Sequence, residues 1–502
     1  MLLRSIATVG GFTLLSRIVG FLRDLLFAAI LGAGPIADAF VVAFRLPNLF
    51  RALSAEGAFS AAFVPIYARL LVDGRVAAQR FAEDTLAAMA AILALLVIAG
   101  EWAMPWIMRG LAPGFADQPG QMALVVELGR ITFPYLLLIS LTAFQGAVLN
   151  AHRRFAAMAA APILLNLALL ALPPILLPLG IGNAQTFAWA VIAGGVLQFL
   201  FLAFVCRREG IHLRMPRPRF SPDVRRLFAR MGPGVIGAGV TQLNLVVGTV
   251  LATLIAEGAV SYLYYADRLS QLPLGVVGTA VGTALLPLLS SELKTDPAKA
   301  LASHNRAIEA ALLLALPAAA GLAALAEPIV TVLFVRGAFG IPEAKATAQA
   351  VAAYSLGLPA FVLVKALSPG FLAREDTTTP VKLGMVAIAV NLALNLALMK
   401  PFGHVGIALG TSIAAWINAG LLWGTLGRRG HFALDARARR TLPKLVAISA
   451  IMGGVVWAAQ PYVPKGTLGL ALLIALGGTI FSGLALLTRA ASIADLRRAF
   501  KK

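Results

Sequence analysis

Among the charged residues inside the first two apolar stretches of the chain are Arg17, Arg23, Asp24, Asp38 and Arg45. The first stretch, 5–31, is long enough to cross a bilayer as a helix. A charge at the centre of such a helix costs roughly 2.5–3.5 kcal/mol on insertion scales. Several together are tolerated where they face a protein interior or a water-filled cavity. Guanidinium stays charged and pairs in bidentate fashion with phosphate oxygens. Arginines kept inside a membrane protein therefore point to an anionic cargo.

The spacing says how helices present these groups. Arg17 and Asp24 are seven residues apart and share a face, as do Asp38 and Arg45. Arg23 lies about 100° from Asp24 around the first helix. Pro47 and Asn48 follow Arg45, then Arg51 and the segment Ala55-Glu56-Gly57-Ala58. A proline followed by small residues is expected to bend or interrupt this helix, with Pro47 and Gly57 as the hinge. Two readings stand side by side. The charges pair internally, Arg17 with Asp24 and Asp38 with Arg45, or they form a cradle for an anion. The cradle set is Arg17, Arg23, Asp24, Asp38, Arg45, Arg51, Arg268 and Lys365, and its excess of arginine over carboxylate favours it. Elsewhere, Glu127 and Arg130 are expected as a helix pair, and Asn391 and Asn395 as interhelical hydrogen bonds.

The elements that must position these groups are transmembrane helices. The 502 residues are 60% hydrophobic and 13% charged. Their mean hydropathy is +0.87. About fourteen apolar spans are expected, at 5–31, 36–71, 77–108, 121–149, 156–179, 184–206, 230–256, 258–291, 305–335, 347–373, 381–399, 404–427, 441–461 and 467–488. The runs do not alternate, which excludes a membrane β-barrel. The first run carries Arg17 and Arg23 and is followed by no small-residue cleavage site, so it reads as a span and not as a signal peptide.

The net charge of +20 is a topology signal. Assigning alternate loops to opposite sides puts about thirty Lys/Arg on one side and about five on the other, so both termini are expected in the cytoplasm. The rich loops include 207–230, which faces anionic headgroups there. No nucleic-acid partner is expected.

The chain resembles itself at an offset of about 223–225 residues. Ala43-Phe44-Arg45-Leu46 matches Ala266-Asp267-Arg268-Leu269, Pro134 matches Pro359, and Asn166-Leu167-Ala168-Leu169 matches Asn391-Leu392-Ala393-Leu394. Each copy holds six spans, so both enter the membrane in the same direction and form two parallel bundles. The division expected is a six-helix bundle over 1–209, a basic linker over 210–229, a second bundle over 230–430, and two further helices with a basic tail over 431–502. Substrate would sit between the bundles, with Arg268 opposite Arg45, and rocking would expose it to alternate sides. One chain suffices as a monomer.

Enzyme chemistry finds no support. The chain lacks a His-Glu-x-x-His zinc motif, a Gly-x-Ser-x-Gly elbow and a Gly-Lys-Ser/Thr phosphate loop. No catalytic residue, metal site or cofactor is expected, and transport would draw on an ion gradient, the membrane potential or the substrate gradient.

The same residues carry a family resemblance. Ser16-Arg17-Ile18-Val19-Gly20-Phe21-Leu22-Arg23-Asp24 and the run Gly32 to Leu49, with Asp38-Ala39-Phe40 and Phe44-Arg45-Leu46-Pro47-Asn48, resemble the opening motifs of the bacterial lipid II flippases of the MurJ/MviN family. So do Ala55-Glu56-Gly57-Ala58-Phe59-Ser60, Thr132-Phe133-Pro134-Tyr135, Tyr264-Tyr265-Ala266-Asp267-Arg268-Leu269 and Pro369-Gly370-Phe371. The resemblance runs end to end. It implies the fourteen-helix fold of the multidrug/oligosaccharidyl-lipid/polysaccharide exporter superfamily. It also implies transfer of undecaprenyl-pyrophosphate-linked disaccharide pentapeptide across the bacterial cytoplasmic (inner) membrane for peptidoglycan synthesis. The positions it carries over are Arg17, Arg23, Asp38, Arg51 and Arg268; where the family often has a second basic residue after Arg51, this chain has Ala52. It assigns the last two spans a lipid-facing groove for the polyprenyl tail. The rival readings are a flippase for another polyprenyl-pyrophosphate oligosaccharide, a multidrug exporter, a scaffold among cell-wall synthesis proteins, and an enzyme acting on lipid-linked sugars.

Overall fold

Backbone groups in lipid have no water to bond, so each span must close its hydrogen bonds within itself as a helix. The computed structural model has this form. It describes residues 2–54 and 58–490, and every regular element among them is helical. Arg336 and Phe339 form an isolated bridge. Among the described residues, nine helical segments are long and apolar enough to cross a membrane. The chain is a multi-pass membrane protein.

It divides into two compact units, Met1–Gly258 and Ala259–Lys502. The first contains α1 (Leu2–Leu31), α2 (Pro35–Ser54), α3 (Ala58–Asp73), α4 (Arg75–Leu111), α5 (Pro119–Thr132), α6 (Tyr135–Ala151), α7 (Phe155–Leu176), α8 (Asn183–Arg208) and α9 (Pro222–Thr253). α1 lies along α7, α7 along α8, and α2 along α5. Aromatic rings fix the junctions. Phe27 of α1 meets Phe40 of α2 and Phe187 of α8, each at 5.2 Å between ring centres. Phe63 of α3 touches Phe81 of α4 and Phe144 of α6 at 5.4 and 5.3 Å. By repeat, α9 opens the second copy; by packing it lies against α2, α3 and α4.

The second unit contains α10 (Ala259–Thr295), α11 (Pro297–Ala324), α12 (Ala326–Phe334), α13 (Ile341–Ser355), α14 (Leu358–Leu372), α15 (Thr378–Arg428), α16 (Ala436–Ala459) and α17 (Thr467–Leu487). Within α15, Gly403 breaks the helix at φ 58° and ψ −137°. The halves fold back on each other: Asn391 donates to the Thr411 hydroxyl at 3.3 Å. A side chain on Gly406 would meet the Leu398 carbonyl oxygen at 2.2 Å, so only glycine allows this approach. These halves are the eleventh and twelfth expected spans. The last two helices rest on α11, through Leu445, Ile448, Met452 and Val456 of α16 against Leu313 and Leu325, with Leu473 and Phe481 of α17 behind them.

The internal repeat is visible in backbone geometry. Left-handed glycines recur at nearly the repeat offset: Gly32 and Gly258 (φ 68° and 83°), Gly180 and Gly403 (79° and 58°), Gly210 and Gly430 (74° and 68°). The matched prolines act alike. The helix breaks between α5 and α6 at Pro134, and between α13 and α14 just before Pro359.

Candidate functional site

Two of the arginines of α1, Arg17 and Arg23, are six residues apart, about 9 Å along the axis. Arg17, at the helix midpoint, is exposed. Arg23 is largely buried, with 16% of its side chain exposed, and its guanidinium is held from two directions. Its Nη2 and Nε donate to Asp24 Oδ1 at 2.7 and 3.1 Å. Its Nη1 donates to Asn166 Oδ1 of α7 at 2.9 Å. Asn166 is itself oriented, because its Nδ2 donates to the Ser16 carbonyl at 3.1 Å. Glycine at position 20 leaves room for this amide: an added Cβ would sit 3.3 Å from Asn166 Nδ2. Buried Asp24 thus pairs with Arg23, its chain neighbour.

α2 carries Asp38, Arg45 and Arg51, and the structure gives them separate tasks. Asp38 is fully buried and accepts the Gly258 N–H at 2.7 Å. Gly258 has φ 83°, so this carboxylate fastens a left-handed turn after α9. Arg45 lies seven residues further along, about 10 Å of rise. Its Nε donates to the Thr249 hydroxyl of α9 at 3.0 Å. Arg51 is half-buried and donates through Nε to Asn48 Oδ1 at 3.3 Å, while Asn48 donates to the Phe44 carbonyl. The helix continues through Pro47. Gly57, the other expected hinge residue, lies outside the described residues, together with Ala55 and Glu56.

In the second unit, the half-buried Arg268 lies over the Tyr264 ring, with its guanidinium carbon 4.9 Å from the ring centre. Such a contact orients a cation while leaving it charged. Neighbouring Asp267 accepts from Gln271. Lys365 is exposed on α14 and lies across α10 at Gly278, where an added Cβ would come 2.7 Å from its Cδ and 3.2 Å from its Nζ. Arg268 and Gly278 are ten residues apart, about three turns of α10. The two second-unit cations therefore lie on one helix pair at different depths.

Outside this set, Glu127 accepts from Gln185 at 3.2 Å and Arg130 donates to the Glu101 carbonyl at 3.4 Å. Each of them bonds to a different helix, where a mutual pair was expected. Asn166 is the residue that sequence reasoning missed as part of the cluster. The available signal was its repeat match to Asn391, which marks a position where the fold uses an amide twice. Among the described residues, no group of three or more His, Cys, Asp or Glu side chains could hold a metal ion.

Guanidinium and ammonium groups of this kind are chemically suited to anions. The first unit offers guanidinium groups on α1 and α2, and the second offers one on α10 and an exposed amine on α14. Comparison with known proteins gives the family. Residues 27–477 match the family described as lipid II flippase MurJ. A probable lipid II flippase MurJ of Rhizobium tropici is 44% identical over all of this chain and 97% of its own length. The lipid II flippase MurJ of Burkholderia cenocepacia is 38% identical, over 91% of this chain and 90% of its own. A solved structure of lipid II flippase MurJ in an inward closed conformation superposes with a TM-score of 0.79 at 25% identity, covering 96% of this chain and 98% of that one. An inward-facing multidrug transporter of the MATE family shares the fold, with a TM-score of 0.69 at 15% identity over 82% of this chain and 95% of that one. The chain belongs to the lipid II flippase family MurJ.

Proposed function

We infer that this protein is a lipid II flippase, moving an undecaprenyl-pyrophosphate-linked peptidoglycan precursor from the inner to the outer leaflet of the bacterial inner membrane by alternating access. It is a transporter and not an enzyme. Arg17, Arg23, Arg45 and Arg51, with Arg268 and Lys365, are the groups that take the pyrophosphate and headgroup. Asp24 and Asp38 serve them indirectly, Asp24 by holding Arg23 and Asp38 by fastening the turn after α9. Both termini face the cytoplasm, where the basic loops gather. The two repeats are the bodies that move, and a single chain carries out the cycle.

One observation carries this reading: the Arg17 guanidinium is exposed at the midpoint of a spanning helix. Lipid is a costly neighbour for that charge, so it needs a watery space and an anionic visitor. The test is reconstitution of purified protein into vesicles loaded with the lipid-linked precursor on one leaflet. Wild-type protein is expected to move it to the other leaflet, and Arg17→Ala to lose most of that movement while inserting normally. Equal rates for the two proteins would remove Arg17 from the site.

A further inference from the structure

The segment Gly210–Ser221 joins α8 to α9 without forming helix or strand from Ile211 onward. Its sequence, Arg214-Met215-Pro216-Arg217-Pro218-Arg219-Phe220, places a proline at every second position in its centre. Proline fixes φ and biases the preceding residue towards extended backbone, which holds the segment open as a strap. The strap is fastened to α4: Gln79 donates to the His212 carbonyl at 3.0 Å, and the Arg214 N–H donates to Glu83 Oε1 at 3.1 Å. At its ends, Glu209 pairs with Arg154 at 2.9 Å and Asp223 with Arg69 at 3.6 Å.

These ties occupy the carboxylates beside the strap and leave its cations outward. Arg214, Arg217 and Arg219 are exposed, as are Arg225, Arg226 and Arg230 on the first turns of α9. Among the described residues, none of the six forms an ion pair. Two large apolar side chains are exposed between them, Met215 at 62% and Phe220 at 49%. The helix itself sets the depth. α9 has 32 residues, about 48 Å at 1.5 Å per residue, against a hydrocarbon core of about 30 Å. As the seventh expected span it is long enough for its arginine-bearing first turns to reach headgroup level, and Val224 and Leu227 there are buried. Basic residues interleaved with exposed apolar ones at that depth suit an interface of phosphate groups over acyl chains. Nucleic acid would use the arginines and leave Met215 and Phe220 without a partner.

We propose that the strap 210–221 and the first turns of α9 form a docking surface for anionic phospholipid headgroups, with Met215 and Phe220 seated at the acyl boundary. This pins the connection between the two repeats to the membrane surface. The test uses full-length protein carrying a nitroxide at Phe220→Cys in a Cys206→Ala background, in nanodiscs of phosphatidylglycerol mixed with phosphatidylcholine or of phosphatidylcholine alone. The accessibility of the label to oxygen against a water-soluble nickel chelate reports its depth. The expected result is a label at the acyl boundary with phosphatidylglycerol, and a shift towards water without it or with Arg217→Gln and Arg219→Gln. High salt should produce the same outward shift without the arginine substitutions, because it screens the contact. A label in water in both bilayers, or at equal depth in both, would overturn the proposal. So would displacement of the label from phosphatidylglycerol bilayers by an oligonucleotide at physiological ionic strength, which would make the surface a nucleic-acid site.

Discussion

The two repeats share a scaffold and differ in what they do with it. In the first, Asn166 of α7 reaches across to α1 and holds the Arg23 guanidinium. Its repeat mate Asn391 bonds to Thr411 and Asn395 within the α15 hairpin. α1 carries arginines through its middle, whereas its counterpart α9 has no charged residue from Met231 to Thr253. Arg45 and Arg268 occupy matched positions, yet one donates to a threonine hydroxyl and the other lies over a tyrosine ring. The lesson is that the two halves share turns, proline breaks and amide positions, while α1 carries arginines at its middle where α9 carries none from Met231 to Thr253.

The comparison is broken most directly at its charged end. Arg23→Ala is expected to lower transport by about 10- to 100-fold, the ~1.5–3 kcal/mol that hydrogen bonds to a charged group supply. Asn391→Ala is expected to leave the transport rate near wild type. Vesicle transport rates at matched protein levels check both. If the two variants are equally impaired, the asymmetry has no functional content.

Asp38→Ala should act through stability. Removing the acceptor of the buried Gly258 N–H costs about 1–3 kcal/mol. Thermal unfolding of purified protein checks this, and Asp38→Asn, which keeps an acceptor oxygen, should recover most of the loss. Asn166→Ala is expected to slow transport by about tenfold, the worth of one modest hydrogen bond that positions Arg23. Asn391→Ala is its control in the other repeat.

The smallest effect is a pH dependence outside the membrane. Hydrogen bonds from the Thr379 hydroxyl and N–H, and then from Arg429, hold the Asp376 carboxyl well below the ordinary aspartate value of 3.8. A depressed carboxylate contributes stability that is fully present above the unfolded-state value and is lost as pH falls through the folded one. Melting temperature should therefore be insensitive to this contact above about pH 5 and decline below pH 4, and Asp376→Asn should flatten that decline. An unchanged acid limb in the variant would remove Asp376 from the account.

Much of this fold was legible because lipid leaves the chain few choices. Runs of apolar residues must become helices, and the expected break between the eleventh and twelfth spans is where the chain turns, whereas the break at Pro134 falls inside the span expected at 121–149. The cost of charge in lipid picked out the candidate residues. Their hydrogen-bond partners were not legible. Sequence spacing pairs residues on one helical face, but the Arg23 side chain is long enough to reach Asp24 one residue away, which periodicity discounts. One partner of Asp38 is a backbone N–H 220 positions distant, and a backbone group has no sequence signature. Asn166 stands out in the sequence only as the repeat match of Asn391, and the α1–α7 contact is what brings Arg23 to it. The placement of α9 with the first unit likewise depends on packing, which its composition does not encode.

The most direct test of the central claim is made in cells. The protein is depleted, Arg23→Ala is supplied at wild-type levels, and the leaflet holding the lipid-linked precursor is determined. The account predicts precursor trapped in the inner leaflet, as in the depleted cells, with wild-type protein restoring its export. Precursor reaching the outer leaflet at the wild-type rate, with no other flippase present, would contradict a cradle that works through its arginines.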